Sequence, residues 1–62
     1  MEFRDLIEFR YRDGRVVSGD YANYAGRRLN RGDRLEFDEL VWIMYDREDR
    51  SGVTVYLCRP AV

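Results

Sequence analysis

The longest apolar run of the chain is Leu40-Val41-Trp42-Ile43-Met44-Tyr45, which interrupts the alternation of apolar and charged residues found elsewhere. Side chains of a β-strand alternate between its two faces, so the even-numbered residues of this run point one way and the odd-numbered residues the other. A strand exposed on one face of an antiparallel sheet normally carries polar residues on that face. This run has no polar face, so both of its faces need cover.

A hairpin is predicted immediately before the run. Residues 34–37, Arg-Leu-Glu-Phe, alternate as a half-buried strand does, and Asp38-Glu39 leads tightly from this strand into the apolar run. If the turn has two residues, Leu35 and Phe37 face Trp42 and Leu40 across the hairpin.

Residues 46–52, which follow the run, are predicted to form a charged loop, and residues 53–58 to form the last strand. Pro60 ends that strand, because proline cannot donate a hydrogen bond to the ladder. Tyr56 and Cys58 share one face of the last strand, and we assign them to the second apolar face of the sheet.

A second hairpin is predicted near the N-terminus. Residues 7–12 alternate between apolar and charged side chains, and residues 15–19 return along them. The connection is Asp13-Gly14, a strong hairpin signal because glycine adopts positive φ without steric cost. Beyond it, Asp20 is a candidate N-cap for a short helix in residues 20–29, which Gly26 weakens; a loop with one helical turn is the alternative.

Together these segments predict an all-β domain spanning residues 1–62. We expect a small five-stranded antiparallel barrel or bent sheet, SH3-like or OB-like in architecture, with a short helix or helical turn near residues 20–29. A chain of 62 residues has a thin stability margin. Its single cysteine excludes an intrachain disulfide, and the lack of histidine excludes a Cys/His zinc site. Oligomerisation remains as a source of extra stability.

Two interpretations of the doubly apolar strand stay open. In the first, the barrel curls and the short helix covers the second face. In the second, that face is an interface with another copy of this chain, as a homodimer, or with another protein. The interface hypothesis assigns contact roles to four side chains: Val41, Ile43, Tyr45 and Tyr56.

A basic, tyrosine-containing segment is the second candidate site. Its side chains are Tyr21, Tyr24, Arg27, Arg28, Arg31 and Arg34. Arginine contacts phosphates and tyrosine stacks on bases, so the segment suggests an anion patch or single-stranded nucleic-acid binding. Alternatively, these arginines pair with the acidic residues between Glu36 and Asp49, within the fold or across subunits. The net charge of −1 and the pI near 5.3 do not favour nucleic acid as the main partner.

Other functions are expected to be absent. Cys58 has no histidine to activate it, and the carboxylates at positions 46, 48 and 49 do not match a calcium-binding loop. We therefore predict no catalysis, cofactor or metal. The chain lacks a signal-peptide pattern and a run long enough to span a bilayer, so a cytoplasmic protein with a reduced thiol is expected. Basic residues that are all arginine indicate a GC-rich, bacterial genome.

Overall fold

The computed structural model describes residues 5–61, and the first residues of the chain, where the sequence predicts no signal peptide, lie outside this range. The elements are β1 (Leu6–Arg10), β2 (Val16–Asp20), α1 (Tyr21–Tyr24), β3 (Arg34–Phe37), β4 (Leu40–Arg50) and β5 (Val53–Pro60). The strands form one five-stranded sheet in the order β2-β1-β5-β4-β3. The sheet curls into a half-barrel, which confirms the predicted small barrel or bent sheet. The prediction that all strands are antiparallel is wrong for β1 and β5, which pair in parallel.

The curl follows from a ring contact between distant strands. β1 and β3 are separated by β5 and β4 in the sheet, which amounts to about 14 Å if the sheet were flat. The rings of Phe9 in β1 and Phe37 in β3 nevertheless stack with their centroids 4.1 Å apart. The face that carries them is therefore the concave one, which we call the inner face; the opposite face is the outer face.

Both predicted hairpins are present. In the first, Tyr11 N–H donates to Arg15 O over 2.8 Å, and Gly14 has φ +95°. In the second, Asp38 and Glu39 have φ of 56° and 59°, the positive values that a two-residue turn between twisted strands requires. Leu35 pairs with Trp42 and Phe37 with Leu40, as the turn length predicts.

The predicted charged loop at residues 46–52 is wrong. β4 continues to Arg50, and the turn to β5 consists only of Ser51 and Gly52, both with positive φ. A β-bulge lies at Tyr45: Met44 pairs with Cys58, but Asp46 already pairs with Leu57. The extra residue shifts the alternation, so Asp46 and Glu48, which pair with Leu57 and Val55, point outward, while Arg47 and Asp49 lie on the side of Tyr56.

The core lies on the inner face. Its fully or nearly buried members are Ile7, Phe9, Leu29, Trp42, Met44, Tyr56 and Cys58. Trp42 also donates its Nε1–H to the carbonyl oxygen of Phe37 over 2.8 Å, so the indole is buried with its polar atom satisfied. Leu40 shares the inner face of β4 but is 43% exposed, because it lies next to the turn at the end of the sheet.

The connection from β2 to β3 covers the concave side. α1 spans only four residues and ends where Ala25 adopts an extended conformation, so the helix does not reach Leu29. Leu29 is still buried in the core, but from an irregular segment. Residues 20–29 thus form one helical turn followed by a loop, as the second of the two alternatives predicts.

Replacing Gly19 by alanine should destabilise the protein by about 1–3 kcal/mol through overpacking. A Cβ at Gly19 would lie 2.7 Å from Cε2 of Tyr24. The Tyr24 ring would have to leave its edge-on contacts with Phe9 and Phe37, whose centroids lie 5.4 and 5.2 Å away. Chemical denaturation measures this loss of stability.

The control is a double-mutant cycle with Tyr24→Ala. In that background Gly19→Ala should cost less than about 0.5 kcal/mol, because the colliding ring is gone. An equal cost in both backgrounds would show that the tyrosine is not the reason for the glycine.

Candidate functional site

The predicted interface residues Val41, Ile43 and Tyr45 lie together on the outer face of β4. Val41 is 44% exposed, and Ile43 and Tyr45 are half-buried. The guanidinium carbon of Arg59 on the neighbouring strand lies 5.3 Å from the centroid of the Tyr45 ring. This is a cation–π contact, and Val41 is the most exposed apolar side chain of the three.

Tyr56 does not belong to this surface, and its assignment to it is wrong. Cys58 pairs directly with Met44, which is buried in the core, so Cys58 and Tyr56 both point to the inner face. The Tyr56 ring packs against Tyr21, with centroids 4.3 Å apart. The sequence could not decide between the faces of β5 because both are mainly apolar.

The middle of the outer face is closed by side chains of the sheet. Val55 and Leu57 are buried there although no strand or helix among residues 5–61 is stacked on this side. Glu8 pairs with Leu57 in the parallel register and is only 8% exposed. Its carboxylate binds the guanidinium groups of Arg10 and Arg50. On this face, exposed apolar side chains remain on either side of the closed middle: Val41 on β4, and Val16 on β2, which pairs with Arg10.

Charge on the outer face is arranged in rows that run across the strands. One row is basic: Arg34 pairs with Ile43, which pairs with Arg59. Arg10 continues this row, since Phe9 pairs with Cys58 and the two strands run parallel. The next row is acidic and consists of Asp46, Leu57 and Glu8. The rows are about 7 Å apart, two residues along a strand, and a third row adds Glu48 opposite Val55.

The tyrosines of the predicted anion patch serve the fold. The Tyr21 hydroxyl donates to Arg27 O over 2.6 Å and accepts the Leu29 N–H over 2.7 Å, which fixes the loop after α1. Burial raises the pKa of Tyr21 above its usual value. Tyr24 packs edge-on against Phe9 and Phe37. The structure therefore uses both rings in packing.

The arginines of the same patch point to different partners. Arg27 forms an ion pair with Asp33 at 3.2 Å, and Arg31 with Asp46 at 3.0 Å. The pKa of Asp33 is lowered, first by the backbone N–H of Asn30 and then by Arg27. Within the described part of the chain, Arg28 and Arg34 form no ion pair. The alternative interpretation is that these arginines pair with the acidic residues between Glu36 and Asp49. The ion pair of Arg31 with Asp46 is of that kind.

Among residues 5–61, no group of three or more acidic, cysteine or histidine side chains is arranged to hold a metal ion. None of the helices in the same range has the length and apolar character needed to cross a bilayer. Cys58 is a free, fully buried thiol.

Comparison of the chain with models of known protein families, with curated proteins and with solved structures found no significant match.

Proposed function

We propose that this chain is a non-enzymatic protein-binding module that self-associates through the outer face of β4. The contact is centred on Val41, Ile43 and Tyr45. The observation that carries the proposal is the position of Val41, 44% exposed beside two half-buried apolar neighbours on the face that α1 does not cover. An exposed apolar side chain of this kind, beside other apolar side chains, is typical of an interaction surface.

Charge complementarity favours a second copy of the chain as the partner. The basic row with Arg34 and Arg59 lies beside the acidic row with Asp46 and Glu8. In a two-fold symmetric pair, one patch contacts the same patch in reverse orientation. Two outer faces packed in this way place each basic row over the acidic rows of the partner, with the apolar residues of β4 between them.

The substitution Val41→Asp tests this arrangement. An aspartate at this position is solvated in the monomer but loses water in the dimer, so the dimer should be weakened by about 2 kcal/mol or roughly 30-fold in Kd. Sedimentation velocity over a concentration series measures the change. We also expect the wild-type dimer to weaken as salt is raised, since Arg34 and Arg59 of the basic row are exposed.

The matched control is Val16→Asp. Val16 is 54% exposed and lies on β2, three strands away from β4 in the sheet. This variant should associate like the wild type. A wild-type chain that stays monomeric at millimolar concentration, or equal weakening by both substitutions, would contradict the proposed interface.

Single-stranded nucleic-acid binding by the Arg/Tyr segment stays a prediction with less support, because its tyrosines are engaged in packing. Fluorescence anisotropy with short oligonucleotides at low salt distinguishes it from self-association. A cytoplasmic location and the lack of catalytic activity also stay predictions.

A further inference from the structure

Three arginines surround a depression at one end of the sheet, next to the basic row. The depression has a volume of about 450 Å³ and is lined by Arg10, Arg12, Arg59, Pro60 and Ala61. Arg10 and Arg59 are neighbours because β1 and β5 run parallel, and Arg12 follows where the chain leaves β1. None of its lining residues is acidic.

The positive charge of this depression is only partly compensated. Arg10 binds Glu8, with 3.3 Å between Nη2 and Oε1, a long contact for an ion pair. Arg59 lies against the Tyr45 ring, and Arg12 has no ion-pair partner among residues 5–61. Counting Glu8 against Arg10, the depression carries a net charge of about +2. Like charges on neighbouring strands repel, so an anion held between them would relieve the repulsion.

We infer that this depression binds a doubly ionised phosphate group, either inorganic phosphate or a phosphate monoester. The guanidinium group presents paired N–H donors that match two oxygens of one phosphate, and a phosphate monoester carries a charge of roughly −1.5 to −2 near neutral pH. Pro60 and Ala61 form an apolar wall that suits the ester side of such a ligand.

The charges around the depression favour a compact dianion over a nucleic-acid backbone. The acidic row with Glu8 and Asp46 begins about 7 Å from the basic row. Only Arg10 contacts that row, through Glu8, so a single phosphate held by Arg12 and Arg59 avoids it. An extended chain of phosphodiesters would run along it and be repelled, and the net charge of the protein is −1. The inference does not rest on the proposed self-association.

Titration of the protein with inorganic phosphate, followed by NMR of the arginine Nε–Hε groups, tests the inference. We expect saturable shifts of the Arg12 and Arg59 signals at constant ionic strength. Arg12→Gln and Arg59→Gln should each weaken binding by roughly tenfold or more, since each removes a charged hydrogen-bond donor. Both arginine side chains are exposed, so circular dichroism should report an unchanged fold.

The control variant is Arg28→Gln, which also removes an exposed arginine that has no ion pair within residues 5–61. It should bind phosphate like the wild type. Phenyl phosphate and a thymidine oligonucleotide with a 5′-phosphate test whether the site accepts a phosphate monoester as well as inorganic phosphate, and both should bind. Shifts that do not saturate, or equal losses in Arg28→Gln and Arg12→Gln, would overturn the inference. So would an oligonucleotide that binds as tightly without its terminal phosphate.

Discussion

Replacement of Phe9 by alanine is expected to abolish the folded state. Phe9 is fully buried, and its ring contacts those of Phe37, Tyr24 and Trp42. Removing a buried phenylalanine costs about 3–5 kcal/mol. A domain of 62 residues has a total stability of roughly 3–9 kcal/mol at typical values per residue. The loss is thus comparable with the whole free energy of unfolding.

The position of Phe9 in the curl makes the effect larger than the loss of area alone. Its ring stacks on Phe37 across the concave side and so connects β1 to β3, two strands that are not neighbours in the sheet. Without the ring, the two halves of the half-barrel lose this stacking contact and keep that of Tyr11, whose ring centroid lies 5.0 Å from that of Trp42 and whose hydroxyl donates to Asp38. Thermal unfolding followed by the fluorescence of Trp42, the single tryptophan, measures the result.

Val17→Ala is the matched control for this experiment. Val17 pairs with Phe9 on β2 but is 36% exposed, so its truncation should lower the melting temperature by only about 5 °C. A Phe9→Ala protein that melts within a few degrees of the wild type would show that the aromatic contacts do not hold the curl.

Elements that a few neighbouring residues specify could be predicted from the sequence. Elements that depend on which strands pair, and in which register, could not. Asp13-Gly14 specifies its hairpin by itself, because few dipeptides adopt the required φ values so easily. Residues 46–50 contain no apolar side chain, and locally they look like a loop. They form a strand because β5 supplies a partner for every one of them after the bulge at Tyr45. No feature of the sequence near Tyr45 announces that bulge.

The candidate sites follow the same division. Val41, Ile43 and Tyr45 could be placed on one face because they are two residues apart in a single strand. Tyr56 could not, since its face depends on the register between β4 and β5. Arg10 and Arg59 lie far apart in the sequence and meet only through the parallel pairing of β1 with β5. The predicted basic patch instead consists of arginines that are close together in the sequence, at positions 27, 28, 31 and 34.

Cys58 is expected to react with a thiol reagent at pH 8 about 1000-fold more slowly in the folded protein than in the unfolded chain. Burial raises the pKa of its thiol from 9.0 to about 12, which lowers the fraction of reactive thiolate by about that factor. The side chain is also fully buried opposite Met44, so reagent reaches it only after the strands open. The absorbance of the thiolate that the reagent releases measures the rate, with the protein unfolded in guanidinium as the reference.

This slow rate would make Cys58 a direct probe of the core. When opening is fast and reversible, the rate reports the free energy of opening, and Phe9→Ala should react at the rate of the unfolded chain. The direction of the pH effect is fixed, because a pKa raised by folding means that the stability contribution is complete below pH 9 and is lost as the pH rises toward 12. Cys58→Ala is the control, and its free energy of unfolding should fall less steeply over that interval. Rapid modification of the native thiol at pH 8 would show that β4 and β5 separate without unfolding of the aromatic core. It would also show that Phe9 does not stabilise the part of the sheet that covers Cys58.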